Sequence, residues 1–214
     1  MKPGICASIV DTDLEAVKAV ENMVDLYEVR IDLIGEGWQD VAKRLKKPWI
    51  ACNRSGEEGG KASPDTLEAL IQAADLGANI IDVEYNTKRL NELVTRIKKR
   101  SRYLVSSHNL TVTPPMAELK KIVKSQIKAG ADICKIVTTA RNFEDNLTVL
   151  ELITLFPKTK IVSFAMGKLG VISRVLCPLV GGQFTYASLG VGKESAKGQL
   201  TVGDLSTLYR MLGK

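Results

Sequence analysis

The sequence predicts a (β/α)8 barrel that forms one domain over residues 1–214. Eight short apolar runs rich in branched residues recur at intervals of 21 to 30 residues, and most intervals carry the amphipathic spacing of a helix. No linker divides the chain, and 214 residues lie near the small end of the range for such barrels. Catalytic groups are therefore expected at the carboxyl ends of the strands and in the loops beyond them.

The predicted strands read as continuous apolar runs, which is typical of parallel strands buried on both faces. They begin near Ile5, Leu26, Trp49, Asn79, Tyr103, Asp132, Lys160 and Phe184. A doubly wound open sheet is the alternative fold, but it more often has fewer strands. A glycine-rich dinucleotide turn is also missing, since Gly181-Gly182 precedes an apolar run instead of following one.

The interval between strands three and four is predicted to form an amphipathic helix. Its apolar positions follow the i, i+3, i+4, i+7 spacing at Leu67, Leu70, Ile71 and Ala74. Ser63 before Pro64 predicts the start of this helix, and Gly77 predicts its end. The helix after strand five repeats the pattern, with Thr113-Pro114 at its start and Gly130 at its end.

The composition is ordinary for a globular protein and argues against nucleic-acid and membrane partners. Charged residues make up 25% and hydrophobic residues 45% of the chain. The net charge is +6, but the one dense basic run, Arg96–Arg102, lies at a predicted helix end, where cations are favoured. Aromatic residues, at 5%, provide no stacking platform for bases. The uncharged stretch Val175–Gly192 contains Pro178 and Gly181-Gly182, which argues against a membrane span.

The cysteines and the single histidine argue against a metal site. Cys6, Cys52, Cys134 and Cys177 form no CxxC pair and lie in apolar surroundings, so they are expected to be reduced core residues of a cytoplasmic protein. With His108 as the one histidine, a zinc site is not expected. The amino terminus runs directly into a predicted strand, so no signal peptide is expected.

Lys135 interrupts the apolar strand Ala131–Thr138 and is the strongest candidate for a functional residue. Burial of an ammonium is costly, so the sequence predicts either a lowered pKa or a close partner. The alternative interpretation is a lysine that snorkels from a shorter strand or pairs with Glu84. A neutral lysine can form a Schiff base with a ketone. His108 ends the preceding strand, where a core or helix-capping imidazole is the alternative interpretation. An amine nucleophile and a proton shuttle one strand apart predict imine chemistry with acid–base assistance.

Other charged residues fall on strands that should line the barrel interior. Strand two alternates strictly, with Tyr27, Val29 and Ile31 expected outward and Glu28, Arg30 and Asp32 expected inward. Strand four places Asp82 and Glu84 on one face, from which they could position arginines or the lysine. Arg54 ends strand three before a glycine-flanked loop, and exposure to solvent is its alternative interpretation.

Two segments near the carboxyl terminus add an anion site and a lid. Arg174 falls in the first two turns of the helix after strand seven, where a guanidinium and helix amides attract the same carboxylate or phosphate. The small, polar segment Gly190–Gln199 follows strand eight and predicts a lid over the barrel mouth. A disordered surface loop is the alternative interpretation of that segment.

Taken together, these segments resemble the type I 3-dehydroquinate dehydratases, the Schiff-base enzymes of the shikimate pathway of aromatic amino acid biosynthesis. The resemblance extends from strand one to the last helix and consists of six motifs in order. They are Glu28-x-Arg30, Arg54 with Glu58 and Gly59-Gly60, Ser107-His108, Lys135, Met166-Gly167-x-x-Gly170-x-x-Ser173-Arg174, and Ser195-Ala-x-Gly-Gln199. Each motif alone is a weak signal, but six in order on the expected strands are specific.

The resemblance implies a hydro-lyase that eliminates water from 3-dehydroquinate to give 3-dehydroshikimate. By this resemblance Lys135 is expected to form the Schiff base and His108 to be the general acid and base, with Glu58 supporting His108. The substrate-binding residues that the resemblance implies are Glu28, Arg30, Arg54, Met166, Arg174, Ser195 and Gln199. Arg174 is expected to hold the substrate carboxylate, and Arg30 and Arg54 are expected to help keep Lys135 partly neutral. No metal or organic cofactor is implied, because the imine is the electron sink, and a homodimer is expected.

The chain departs from the family pattern at two places. The family lid commonly reads Ser-Ala-Pro-Gly-Gln, and here Lys197 replaces the proline, which is expected to loosen the loop and to add a charge near an anionic substrate. The chain is also expected to lack the amino-terminal hairpin that closes the barrel floor in longer members.

Two other functions fit parts of the same pattern. A class I aldolase also uses a barrel lysine, but such enzymes usually need a phosphate site near strands seven and eight. A non-catalytic barrel that binds small sugar acids or acts as a regulator is the third hypothesis, and it leaves the buried lysine beside a histidine unexplained.

Overall fold

The computed structural model describes residues 2–62, 67–87, 95–97 and 100–214, and it confirms the predicted (β/α)8 barrel. Eight parallel strands form one sheet in the order β7-β6-β5-β4-β3-β2-β1-β8. They are β1 (Ile5–Ile9), β2 (Leu26–Arg30), β3 (Trp49–Cys52), β4 (Ile80–Glu84), β5 (Arg102–His108), β6 (Ile133–Thr139), β7 (Ile161–Met166) and β8 (Thr185–Ser188). Each strand begins within one residue of its predicted start.

Helices follow most of the strands on the outside of the barrel. In the described residues they are α1 (Leu14–Val20), α2 (Ile31–Ile34), α3 (Trp38–Lys43), α4 (Leu67–Asp75), α5 (Met116–Lys128), α6 (Glu144–Thr154), α7 (Val171–Leu176) and α8 (Val202–Met211). Short 3-10 turns lie at Glu21–Met23, Gly56–Glu58, Lys168–Gly170 and Cys177–Val180. The described part of the chain contains no helix that is long and apolar enough to cross a membrane.

The predicted helix boundaries are only partly confirmed. Gly77 and Gly130 adopt positive φ just beyond α4 and α5, as their predicted role as helix stops requires. The predicted start at Thr113 is wrong, because α5 begins at Met116 with Pro115 at its N-cap. The Thr113 hydroxyl instead lies 2.8 Å from the Thr138 hydroxyl at the end of β6. The predicted cap at residues 63–64 and part of the basic run, residues 98–99, lie outside the described residues.

The strands alternate between the barrel interior and the layer beneath the helices. The register aligns Lys135 with Ser106 on β5 and with Val162 on β7, so these three side chains share the interior face. Residues on the outer faces pack with the helices in the main apolar core, which includes Ala7, Ile9, Val17, Val29, Val41, Ala51, Leu70, Ile81, Val83 and Val105. Fully burying such an aliphatic side chain contributes about 1.5–3 kcal/mol, so this layer fixes the strands that carry the interior charges.

The strands β7 and β8 are the two ends of the sheet and meet at a seam. Gln183, just before β8, donates its backbone N–H to the carbonyl of Ile161 on β7 over 2.9 Å. Further along the seam, the rings of Phe164 and Tyr186 pack edge to face with their centroids 6.0 Å apart. Aromatic side chains therefore join the two ends of the sheet next to the barrel mouth.

Candidate active site

All ten residues that the sequence singled out lie on one cavity at the carboxyl end of the barrel. Its volume is about 560 Å³. The predicted residues on its wall are Glu28, Arg30, Arg54, Glu58, His108, Lys135, Met166, Arg174, Ser195 and Gln199. They come from five strands or the loops and helices that follow them, and from the lid after β8, which is the placement expected for a barrel enzyme.

Lys135 lies on β6 at the base of the cavity and is buried. Its Nζ is 2.9 Å from Oδ2 of Asp82 and 3.4 Å from Oε1 of Glu28. Burial alone acts to lower the pKa of Lys135, but Asp82 and Glu28 outweigh burial and place that pKa above its usual value. Of the two outcomes expected for Lys135, a lowered pKa or a close partner, the structure shows the second, and the partners are Asp82 and Glu28 instead of Glu84.

Asp82 is the charge that organises this side of the cavity. Its Oδ2 lies 2.6 Å from Nη2 of Arg54 as well as against Lys135, and its Oδ1 accepts a 2.6 Å hydrogen bond from the Ser106 hydroxyl. Although burial disfavours a charged carboxyl, Arg54 and Lys135 hold the pKa of Asp82 well below its usual range. The sequence indicated that Asp82 could position charged partners but did not place it among the site residues.

Arg54 links Asp82 to the loop after β3. Its Nη1 donates to the Ser106 hydroxyl at 2.7 Å, to Oε2 of Glu58 at 3.1 Å and to Oε1 of Glu84 at 3.4 Å. The side chain is 4% exposed, so the alternative of a solvent-exposed Arg54 is wrong. Gly60 lets the loop close over it, since a Cβ at that position would overlap the Arg54 carbonyl.

His108 and Glu58 form a hydrogen-bonded pair above Arg54. Nδ1 of His108 lies 2.7 Å from Oε2 of Glu58. Burial, followed by the charges of Arg54 and Lys135, holds the pKa of His108 well below its usual value, so its imidazole is neutral. Burial raises the pKa of Glu58 to about 7, with Glu84 and Asp82 adding to the shift and Arg54 opposing it. An ionised Glu58 accepts from Nδ1–H and leaves Nε2 free to act as a base.

Arg30 and Asp32 form a second buried ion pair at the rim. Nε and Nη2 of Arg30 donate to the two carboxylate oxygens of Asp32 at 2.9 and 2.7 Å. The predicted alternation of strand two ends before Asp32, because β2 stops at Arg30 and residues Ile31–Ile34 form the short helix α2. Asp32 therefore approaches Arg30 from a helical turn and fixes the guanidinium by a bidentate contact.

Arg174 on α7 faces the opposite side of the cavity. It is buried, its guanidinium carbon lies 4.4 Å from the centroid of the Phe164 ring, and burial lowers its pKa to about 10. Within the described residues it forms no ion pair, and its Nε has no hydrogen-bond partner. Its Nη2 donates weakly, at 3.4 Å, to the carbonyl of Lys197. A buried, charged guanidinium with free donors is suited to bind an anion.

In the segment Gly190–Gln199, which the sequence predicts to be a lid, Ser195, Lys197 and Gln199 line the cavity. Closure of this segment over a ligand stays a prediction. Gly167 donates its N–H to the carbonyl of Lys197 at 3.1 Å. Gly198 has φ +77°, and a Cβ there would overlap the Gly167 carbonyl. The carbonyl of Lys197, which stands at the family's proline position, thus takes part in docking the lid.

Hydrogen bonds connect the lid to the base of the cavity. Ser195 donates through its N–H, at 2.7 Å, and its hydroxyl, at 3.1 Å, to Oε1 of Gln199. Nε2 of Gln199 donates to the Ser8 hydroxyl at 3.3 Å, and Ser8 donates to Oε2 of Glu28 at 2.9 Å. Ser8 lies on β1 and was not singled out from the sequence, where a serine in an apolar strand carries no functional signal.

A potential set of metal ligands in the described residues is already occupied by cations of the protein. Glu28, Cys52 and Asp82 offer ligand atoms within 4.8 Å of one another. Nζ of Lys135 lies against both carboxylates, and Nη2 of Arg54 contacts Asp82 and lies 3.4 Å from Sγ of Cys52. Burial also raises the pKa of the Cys52 thiol to about 12, so it is not a thiolate ligand near neutral pH.

Comparison with known proteins identifies one family. A model of the family described as type I 3-dehydroquinase matches residues 5–214. The chain is 42% identical over 212 residues to the 3-dehydroquinate dehydratase of Dehalococcoides mccartyi, covering 97% of this chain and 95% of that protein. It is 32% identical over 219 residues to the enzyme of the same name from Methanocaldococcus jannaschii, with 97% and 98% coverage.

The fold agrees with a solved structure of the same kind. The crystal structure of 3-dehydroquinate dehydratase from Geobacillus kaustophilus superposes with a TM-score of 0.87 and 24% identity, covering 100% of this chain and 92% of that one. At this identity the likeness concerns the fold alone.

Proposed function

The chain belongs to the type I 3-dehydroquinase family, and on that premise we propose how its residues convert 3-dehydroquinate to 3-dehydroshikimate and water. The reaction makes the chain a hydro-lyase. The observation that supports the proposal most strongly is the contact of buried Lys135 with two carboxylates at the base of the cavity that His108 and Arg174 also line. The aldolase and binding-protein alternatives lose their support with this membership.

Arg174 binds the substrate carboxylate. Its free donors and the absence of an ion pair within the described residues leave its charge available to the ligand. Glu28, Arg30 and Gln199 contact the ring hydroxyls, Met166 packs against the ring, and Ser195 closes over it from the lid. Arg54 is engaged with Asp82, Glu58 and Ser106, so in addition to any contact with the ligand it positions these three side chains.

Imine formation begins with the loss of a proton from the Lys135 ammonium. The neutral imidazole of His108 is the base to which we assign this proton. The Nζ lone pair then attacks C3 of the substrate as the C=O π electrons move to oxygen, and this oxygen takes up the second proton that Nζ loses. The hydroxyl of the resulting carbinolamine leaves as water with the proton held by His108, as the nitrogen lone pair forms the C=N bond of a cationic iminium.

The iminium then acts as the electron sink for elimination. His108 removes a proton from C2, and the C–H electron pair forms the C2=C3 bond of an enamine as the C=N π electrons return to nitrogen. The enamine electrons expel the C1 hydroxyl, which leaves as water with a proton from His108, and the iminium forms again. Water adds to the iminium carbon and releases 3-dehydroshikimate, so Lys135 is regenerated and the net product is one water.

Glu58 sets the tautomer of His108 in this scheme. When Glu58 is ionised it accepts from Nδ1–H, so Nε2 carries the lone pair that removes the C2 proton. When Glu58 is protonated it donates to Nδ1, and Nε2 carries a hydrogen instead. The pair is therefore active in the state that prevails above the Glu58 pKa of about 7.

The homodimer and the cytoplasmic location are also proposals. The resemblance to the family supports the first. The four cysteines are free and buried, which fits a reducing compartment and supports the second. Analytical ultracentrifugation at micromolar concentration tests the dimer, and a single species with the mass of one chain would contradict it.

The conversion is tested by following the absorbance of the conjugated enone that the reaction creates. We expect turnover by the wild-type protein and by Lys128→Ala, which removes an exposed lysine at the end of α5. Lys135→Ala is expected to show no turnover above background while keeping the circular dichroism of the wild type. Substantial turnover by a folded Lys135→Ala protein would contradict the imine mechanism.

A further inference from the structure

Tyr186 is a wall residue of the cavity that the proposed mechanism does not use. It lies on β8 and is 4% exposed. The rings of Phe164 and Phe184 pack against it edge to face, with centroids 6.0 and 5.5 Å from its own. Tyr186 is therefore part of an aromatic cluster at the β7–β8 seam.

The face of this ring lies against the nucleophile. Nζ of Lys135 is 4.2 Å from the ring centroid, inside the distance of about 6 Å at which an aromatic face attracts a cation. Both groups are buried, so water does not screen the attraction. Arg174 stacks on Phe164 instead, so the Tyr186 face is not shared with that cation.

The partners of the nitrogen change when the imine forms. The Lys135 ammonium has three N–H donors and directs them toward Asp82 at 2.9 Å and Glu28 at 3.4 Å. An iminium nitrogen keeps its positive charge but has one N–H, so it cannot hold both carboxylate hydrogen bonds. The attraction of an aromatic face requires no N–H, and it therefore persists when a hydrogen bond is lost.

We propose that Tyr186 is a further catalytic residue, whose ring face stabilises the cationic iminium on Lys135. The proposal depends on the imine mechanism proposed above and names the group that stabilises its charged intermediate. The iminium forms twice in each cycle, before and after loss of the C1 hydroxyl, so the ring acts on both of these steps.

The Tyr186 hydroxyl is not the group to which we assign this role. It is buried and has no hydrogen-bond partner among the described residues. Tyr186→Phe removes only this unpartnered hydroxyl and keeps the aromatic face. Tyr186→Leu removes the face and keeps a buried apolar side chain, so the two variants separate the ring from the hydroxyl.

The test measures imine formation directly. Wild type and variants are mixed with excess 3-dehydroquinate, quenched with borohydride after set times, and analysed by intact mass for the fraction that carries a reduced adduct. We expect Tyr186→Phe to stay within about threefold of the wild-type rate and Tyr186→Leu to be slower by ~30-fold, the effect of a desolvated cation–π contact. The Michaelis constant should change less than the turnover number.

A fluorinated series at position 186 separates electrostatics from packing. Mono-, di- and trifluorophenylalanine keep the ring shape while they weaken the negative potential of its face. We expect the logarithm of the imine formation rate to fall stepwise with each fluorine. Phe184→Leu is the control for packing, because it removes a ring that contacts Tyr186 just before β8 but leaves the Tyr186 face against Lys135, and we expect it to stay within about threefold of wild type.

Three outcomes would overturn the role of Tyr186. They are a rate that is independent of fluorine number, a Tyr186→Leu rate equal to that of the wild type, and a loss in Phe184→Leu as large as in Tyr186→Leu. Each presupposes that the wild-type protein forms the adduct. Failure of the wild type to form any adduct would contradict the imine mechanism itself, so the two failures are distinguishable.

Discussion

The two sides of the cavity differ in how their charges are satisfied. On the side of β2 to β6, Lys135, Arg54, Asp82 and Glu28 neutralise one another at distances of 2.6 to 3.4 Å. On the side of the β7–β8 seam, Arg174 lies against an aromatic ring and forms no ion pair within the described residues. The paired side is organised before the substrate arrives, whereas the unpaired side has a charge that only a ligand can neutralise. We therefore assign covalent chemistry to the first side and recognition of the anion to the second.

The largest expected effect on the paired side comes from the loss of its proton shuttle. His108→Ala should lower the turnover number by about 10²–10⁴-fold, the range for a lost general acid and base. Steady-state kinetics measures this change, and His108→Gln is the control for side-chain volume. A His108→Ala enzyme with more than a tenth of the wild-type turnover number would assign the proton transfers to another residue.

The internal pairing of this side predicts a large cost in stability. Asp82→Asn leaves Arg54 and Lys135 without their shared carboxylate and should lower the free energy of unfolding by about 3–5 kcal/mol. Urea denaturation measures the change. Arg174→Gln is the contrast on the other side, since it removes a buried cation that has no protein counter-ion, and we expect it to cost less than about 1 kcal/mol. Equal losses of unfolding free energy in Asp82→Asn and Arg174→Gln would contradict the difference between the two sides of the cavity.

The unpaired side should control substrate affinity. Arg174→Gln is expected to raise the Michaelis constant by ~30-fold or more, because a desolvated charge pair with the substrate is worth at least about 2 kcal/mol. The turnover number should fall less, since Lys135 and His108 are unaffected. An unchanged Michaelis constant in this variant would contradict the carboxylate role of Arg174.

The pH dependence should report Glu58. Because Glu58 is active in its ionised form and burial raises its pKa to about 7, kcat/KM should be constant above that pH. Below that pH, protonation of Glu58 should lower kcat/KM, and the decrease should approach tenfold for each pH unit. Glu58→Gln should have a lower kcat/KM with no inflection near pH 7, and the same inflection in that variant would assign the titration elsewhere.

The smallest expected effect concerns the lid. Nζ of Lys193 lies 2.9 Å from Asp11 and 2.6 Å from Asp13, and so ties the lid to the loop after β1. These groups are partly exposed, so Lys193→Ala should raise the Michaelis constant by only about twofold at low salt, and the difference should vanish at about 1 M salt. Asp11→Asn removes one of the two ion pairs of Lys193 and should have a smaller effect, because it leaves the ion pair with Asp13, the N-cap of α1, in place. A change in the Michaelis constant that does not depend on salt would show that these ion pairs do not hold the lid in place.

Sequence alone could predict the barrel and the interior position of Glu28, Arg30 and Lys135, because period-two alternation and apolar runs determine the interior face. Lys135 and His108 are conspicuous for the same reason, since one interrupts an apolar strand and the other is the single histidine. The partner of Lys135 could not be predicted, because Asp82 and Glu84 share a face and only the stagger of β4 against β6 selects Asp82. The raised pKa of Lys135 follows from that choice of partner.

Residues whose role depends on contacts made across the barrel escaped prediction. Tyr186 resembles any core aromatic residue in the sequence, and its relation to Lys135 arises from closure of the sheet at the β7–β8 seam. Ser8 is similarly inconspicuous, although it connects Gln199 of the lid to Glu28. Thr113 illustrates the opposite error, a predicted role that the structure does not show. Its position before a proline is typical of a helix N-cap, but its hydroxyl forms a hydrogen bond with the Thr138 hydroxyl instead.

The central claim is that Lys135 forms the imine, and borohydride reduction in the presence of 3-dehydroquinate tests it most directly. Peptide mass mapping should locate one reduced adduct, on the peptide that contains Lys135, that requires both ligand and borohydride and is missing from Lys135→Ala. An adduct on a different lysine, or none from a protein that turns over substrate, would contradict the account.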